Sequence, residues 1–170
     1  HGAVALLDGL LPALQKGRSP SAVVVSSVAS TQLPWDRNPL GAPLEAGDEA
    51  RVEAVLAAAG ERAGHLAYAG SKNAITVAVR RRVKAWAQAG VRLNTVAPGA
   101  VETPLLQAGL ADPRYGNAIR DFVAPIPRRA QPEEVAAMIA FLAGPEAAFV
   151  HGAQFVVDGG IDAQARPTQF

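Results

Sequence analysis

The chain has 170 residues, 49% hydrophobic and 18% charged, with a formal net charge of +1. That balance suits one globular domain with a sizeable core and gives no electrostatic reason for a nucleic-acid or anionic-membrane partner. The absence of cysteine excludes disulfides, thiolate metal sites and cysteine nucleophiles, and no apolar run approaches the roughly 20 residues of a bilayer span.

Residues 1–16 read as a helix, with apolar side chains at 4, 6, 7, 10, 11 and 14 and a possible kink at Pro12. Residues 22–26 form a buried strand, since consecutive β-branched residues suit a parallel sheet covered on both faces. Pro34, Pro39 and Pro43 then break the chain before a helical stretch at about 45–59. A helix over Tyr68–Ala89 closes at Gly90, and residues 91–96 form the next strand. Residues 104–126 read as a loop with one or two short helices. Pro132, Glu133, Glu134 and Gly144 bracket another helix, and residues 154–157 are the last strand. Asp158-Gly159-Gly160 is a tight turn. His1, His65 and His151 lack metal-ligand spacing, which predicts surface or loop roles and no metal. Arg80, Arg81, Arg82 and Lys84 point around their helix and read as a solvated face.

Tyr68 and Lys72 stand four residues apart on one helix, on one face and about one turn from each other. A free phenol ionises at about pH 10, too high to trade protons at neutral pH, and a neighbouring ammonium favours its phenolate. An ordinary helix with an exposed lysine and a half-buried tyrosine accounts for this spacing equally well, so its surroundings carry the assignment. Ala22-Val23-Val24-Val25 leads into Ser26-Ser27-Val28-Ala29 upstream. Downstream come Asn94-Thr95-Val96-Ala97-Pro98-Gly99, Ala100-Val101-Glu102-Thr103, Pro127-Arg128-Arg129, and Gln154-Phe155-Val156-Val157-Asp158-Gly159-Gly160.

In this order the segments resemble the second half of the short-chain dehydrogenase/reductase family, over nearly the whole chain. A bacterial branch acting on 3α-hydroxysteroids and carbonyl compounds fits better than the family at large. That fit rests on the Ser27-to-Tyr68 separation, on Tyr68-Ala69-Gly70-Ser71-Lys72-Asn73-Ala74, and on the tail from Asp158-Gly159-Gly160-Ile161-Asp162 to Arg166-Pro167-Thr168-Gln169-Phe170. The implied fold is α/β: a partial, Rossmann-like, doubly wound parallel sheet of about three strands with flanking helices. The implied activity is NAD(P)-dependent interconversion of secondary alcohols and ketones in the cytoplasm, with a steroid or other hydrophobic carbonyl or alcohol as substrate. The branch suggests NAD, and NADP stays open because the deciding residue is not in the chain. A general carbonyl or 3-oxoacyl reductase, or a non-catalytic binding module, are the alternatives.

By position, the resemblance makes Ser27 the serine that hydrogen-bonds the substrate oxygen, with Ser26 the neighbour most easily confused with it. It makes Tyr68 the acid/base and Lys72 the partner of the phenol and of the nicotinamide ribose. Pro98 and Gly99 would pack on the nicotinamide, where glycine lets the backbone approach a flat ring; taken alone, the pair is a plain turn. Val101 and Thr103 would bind the carboxamide. Leu105, Leu106, Leu110, Tyr115 and Phe122 fall in the family's variable substrate lid, and suit a hydrophobic substrate or ordinary packing equally.

No Gly-x-Gly-x-x-Gly follows a strand, and only 26 residues precede Ser27. Residues 1–170 therefore read as the C-terminal part of a single domain, without the pyrophosphate turn or the asparagine that completes the family's proton relay. The expectation is that this chain alone is inactive and leaves the 22–26 strand with an unpaired edge. Residues 31–64 are long for the family and read as a helical insertion. It would obstruct the usual packing of active-site helices between subunits, so a full-length chain is expected to form a homodimer through its last strand and helix.

Overall fold

The middle strand of the sheet, β2 (Arg92–Pro98), pairs in parallel with β1 (Ser21–Val25) on one side and β3 (Gln154–Val157) on the other. The computed structural model describes residues 2–169; His1, the start of the expected first helix, and Phe170, the end of the tail motif, lie outside the described residues. Leu93, Asn94, Thr95, Val96 and Ala97 are all fully buried, as a parallel strand covered on both faces requires. Strand alternation sends Leu93 to one face and Val96 to the other. Over the first face, α1 (Gly2–Leu14) and α4 (Ala63–Gln88) bring Leu7, Val79 and Trp86 onto Leu93. Over the second, α7 (Pro132–Ala143) brings Val135 and Leu142 onto Val96. Helices on both faces of three parallel strands make the doubly wound, Rossmann-like arrangement that the sequence predicts. Pro12 lies inside α1, which continues to Leu14.

Buried polar residues in β2 organise the approach to β3. Asn94 Nδ2 donates to the Val150 carbonyl at 3.0 Å, and its Oδ1 accepts from the Ala153 N–H at 3.1 Å. His151, expected in a surface or loop role, lies in the loop before β3 and is a half-buried clamp. Its Nδ1 accepts from the Leu93 N–H at 3.0 Å, so the proton sits on Nε2, 2.8 Å from the Val83 carbonyl. Arg92 donates to the carbonyls of Leu142 at 2.7 Å, Ala147 at 2.9 Å and Gly144 at 3.0 Å, closing the C-terminal end of α7. The expected solvated cluster on α4 is partly structural: Arg82 grips Asp8 of α1 with two bonds of 2.7 Å, and Arg81 pairs with Glu45 while stacking on Trp35.

Three boundaries depart from the sequence reading. The single helix expected at 45–59 is two, α2 (Gly41–Ala46) and α3 (Glu49–Ala59). Gly47 adopts a left-handed φ of 69° between them, and Asp48 caps α3 by accepting from the Arg51 N–H at 3.0 Å. The active-site helix begins at Ala63, before Tyr68, because a 3₁₀ turn at Gly60–Arg62 runs straight into it with no proline to stop it. A short helix, α8 (Ile161–Ala165), follows the glycine turn. Asp158 starts it by accepting from the N–H groups of Gly160 at 2.8 Å and Asp162 at 2.6 Å. The 104–126 segment holds two short helices, α5 (Pro104–Ala111) and α6 (Gly116–Asp121), as expected. No helix among the described residues is long and apolar enough to cross a membrane.

Candidate active site

Tyr68 and Lys72 lie on α4 near the carboxyl end of β1. The Lys72 ammonium is 5.9 Å from the centroid of the Tyr68 ring, and it donates to the Val25 carbonyl, the last of β1, at 3.4 Å. Tyr68 is 51% exposed while Ala69 beside it is 1% exposed, so the helix seats itself through Ala69 and Gly70 and turns the phenol outward. This end of the sheet is where open α/β folds take their ligands.

The two serines, adjacent in sequence, have different surroundings. Ser26 Oγ donates to the Lys72 carbonyl at 3.0 Å and shares a 2.9 Å bond with Thr76 Oγ1, tying the strand end to α4. Ser27 Oγ caps the 3₁₀ turn Val28–Ser30 by accepting from the Ala29 N–H at 3.2 Å. Among the described residues it has no other hydrogen bond, so its hydroxyl proton is uncommitted. Ser27 is the hydroxyl that can donate to an incoming oxygen.

Gly99 follows β2, and its N–H donates to the Val157 carbonyl at 3.0 Å. A Cβ at this position would meet Asp158 Cα and Cβ at 2.8 Å. The space that a side chain would need at Gly99 is thus taken by the β3 turn. Val101 bridges Ala130 in parallel: the Ala130 N–H donates to the Ala100 carbonyl at 3.0 Å, and the Glu102 N–H to the Ala130 carbonyl at 2.9 Å. In such a ladder the Val101 amide points away from the bridge, so its N–H is not spent on the bridge to Ala130. Thr103 caps α5, accepting from the Leu106 N–H at 3.2 Å and donating to the Val101 carbonyl at 3.3 Å. Its hydroxyl keeps one lone pair to offer. Beyond Thr103, Leu105 is exposed, while the Tyr115 hydroxyl covers Gly64 at the start of α4.

A groove of about 530 Å³ runs from Lys72 and Val25 along the free edge of β1. A second cavity, about 490 Å³, lies between Phe122, Ile126, Glu102 and Ile161 and reaches neither Ser27 nor Tyr68. Asn38, Asn73 and Gln154, which hold the serine turn and α4 together, escape sequence reasoning. Asn38 sits in a proline-rich stretch that reads as a turn, and no spacing rule links it to a helix 30 residues on.

The family model described as enoyl-(acyl carrier protein) reductase matches residues 51–162. The chain is 65% identical over 169 residues to the 3-alpha-hydroxysteroid dehydrogenase/carbonyl reductase of Comamonas testosteroni, covering 99% of this chain and 66% of that one. It is 43% identical over 112 residues to the cis-4-hydroxycyclohexanecarboxylate dehydrogenase of Sinomonas cyclohexanicum, covering 66% of this chain and 43% of that one. The chain thus spans less than two thirds of the length of either relative. Among solved structures, the 3-alpha-hydroxysteroid dehydrogenase of Pseudomonas sp. B-0831, complexed with NADH, superposes with a TM-score of 0.91 at 56% identity, over 99% of this chain and 66% of that one. Sheet order, site geometry and these matches agree: the chain belongs to the short-chain dehydrogenase/reductase family.

Proposed function

We propose that the chain carries the catalytic residues of an NAD(P)-dependent oxidoreductase that interconverts secondary alcohols and ketones, with 3α-hydroxysteroids and related hydrophobic carbonyl compounds as substrates. The observation that carries this reading is the outward-turned Tyr68 with the Lys72 ammonium one turn away on the same helix; Ser27, whose proton is uncommitted, stands just past the end of the neighbouring strand. In reduction, Tyr68 Oη gives its proton to the carbonyl oxygen while Ser27 Oγ donates a hydrogen bond to that same oxygen. In oxidation, the Tyr68 phenolate takes the proton from the alcohol while Ser27 Oγ keeps its own proton and its hydrogen bond to that oxygen. Lys72 holds positive charge beside the phenol in either direction.

The donor set fits the nicotinamide end of a dinucleotide. Lys72 can donate to ribose hydroxyls, the Val101 N–H to a carboxamide oxygen, and Thr103 Oγ1 can accept from a carboxamide nitrogen. Bound there, the nicotinamide supplies hydride in reduction and takes it in oxidation. NAD is the favoured coenzyme, because the Pseudomonas neighbour is described with NADH.

The test is a chain that includes a glycine-rich dinucleotide half, mixed with a 3α-hydroxysteroid and NAD and followed by NADH absorbance. Turnover supports the reading. Saturable NADH binding without turnover of any secondary alcohol or ketone would leave the binding module, and turnover of 3-oxoacyl substrates alone would leave the acyl reductase.

A further inference from the structure

We propose that Asn38, in the long segment between β1 and α4, is a positioning residue that fixes the Ser27 turn against the Tyr68/Lys72 helix; this rests on the function read above. Asn38 is 7% exposed and Asn73 8% exposed, and every polar atom of both amides that is buried has a partner. Asn38 Nδ2 donates to the Gly70 carbonyl at 2.9 Å, midway between Tyr68 and Lys72, and to Asn73 Oδ1 at 3.1 Å. Asn38 Oδ1 accepts from the Leu40 N–H at 3.1 Å. Asn73 Nδ2 in turn donates to the Ser30 carbonyl at 3.1 Å. Ser30 closes the serine turn, its N–H donating to the Ser27 carbonyl at 2.9 Å, and Gln154 of β3 donates to Ser30 Oγ at 2.6 Å.

Asn73, on α4 itself, therefore joins the helix that carries the acid/base to the turn that carries the serine, and Asn38 holds the Asn73 amide in the orientation that makes this bond. Gly70 makes room for Asn38: a Cβ there would sit 3.0 Å from both Asn38 Oδ1 and Leu40 Cδ1. Buried amides tolerate one arrangement, because a slip strands a donor or acceptor away from water. Apolar packing such as that of Leu40 on Gly70 has no such directionality. Removing Asn38 should therefore loosen the angle between turn and helix, while trimming Leu40 should loosen only the packing.

In the full-length enzyme, Asn38→Ala should lower kcat by about ten- to a hundred-fold, the range expected when reacting groups are displaced by a fraction of an ångström to an ångström. KM for NADH should hold. Leu40→Val should lower Tm comparably and leave kcat unchanged. Asn38→Ala and Asn73→Ala should be non-additive in kcat, since both cut the same chain. Hydrogen exchange gives a readout independent of turnover: Asn38→Ala should speed exchange at Ser30 and at residues 70–76 together, whereas Leu40→Val should not couple them. Equal kcat losses in Asn38→Ala and Leu40→Val, or unchanged exchange at Ser30 in Asn38→Ala, would overturn the proposal. A wild-type enzyme that binds NADH without turnover would remove the functional reading, and exchange would then decide the coupling by itself.

Discussion

Replacing Ser27 with alanine removes a hydroxyl whose proton has no acceptor among the described residues, whereas Ser26→Ala cuts two bonds that hold β1 to α4. Ser27→Ala should thus lose about 10²–10³ in kcat, the scale for one donor to a developing oxyanion, with a stability loss no larger than the roughly 1 kcal/mol of a lost turn cap. Ser26→Ala should show the reverse, with about 1–3 kcal/mol lost in denaturant unfolding from buried hydroxyls and carbonyls left short of a partner. Equal kcat losses in the two variants would reverse the assignment. Tyr68→Phe should lower carbonyl reduction by about 10²–10⁴ with NADH affinity retained, measured by fluorescence titration; a variant keeping more than a tenth of wild-type turnover would contradict its role. That Tyr68 and Lys72 share a helix face was legible from periodicity, whereas the roles proposed for them rest on the family resemblance of the segments around them. The division of labour between the serines was only half legible: position named Ser27, but what occupies Ser26 is Thr76, a contact set by the fold.

Arg92 reaches from β2 to the end of α7, where carbonyls of the last turn have no helical partner of their own. Arg92→Ala should cost about 1.5–3 kcal/mol in denaturant unfolding, as for hydrogen bonds to a charged donor. Arg92→Lys should recover only part, because an ammonium cannot match the guanidinium fork. At the other end of α7, the Arg128 guanidinium and then the Gln131 N–H hold the Glu134 carboxylate down from the usual 4.5 to about 2. A depressed carboxylate contributes stability above its unfolded value and loses it as the pH falls from 4.5 through about 2. Thermal melts across that window should show an acid-sensitive loss that Glu134→Gln reduces, the remainder belonging to Asp8, Asp112 and Asp162, whose carboxyls arginines also hold down. Start and stop of α7 were readable from Pro132 and Gly144, because caps are local chemistry. The split at Gly47 and the early start of α4 were not, since tertiary packing sets where a tolerated helix begins.

Both outer strands have an edge with no strand beside it among the described residues. Along β1 the exposed Val25 marks one, and along β3 the exposed Val156 marks the other; Phe141 of α7 and a fully exposed Phe149 add further exposed apolar side chains. An apolar edge of this kind suits a second copy pairing through β3 and α7. Meanwhile α2 and α3 lie against α4, where the resemblance implies that subunits would pack in a tetramer, so we expect a homodimer. Light scattering should give two chains for the full-length protein and one for Phe149→Glu; a tetramer, or a wild-type monomer, would refute it. The parallel sheet was legible because β-branched runs alternate with amphipathic helices and glycine stops. What covers each edge was not, because edge chemistry depends on neighbours that periodicity does not name.

The buried amide at position 38 also divides the long segment into parts that tolerate change unequally. Only seven residues link Ser30 to Asn38, and both ends are pinned to the same helix residue, Asn73. Adding or deleting one residue within 31–37 would throw that short span out of step. By contrast, α3 buries no residue, and the Gly60–Arg62 turn can absorb extra length. Natural length variation and engineered insertions, such as a tag or a reporter loop, should therefore be accepted between Asp48 and Arg62 and refused before Asn38.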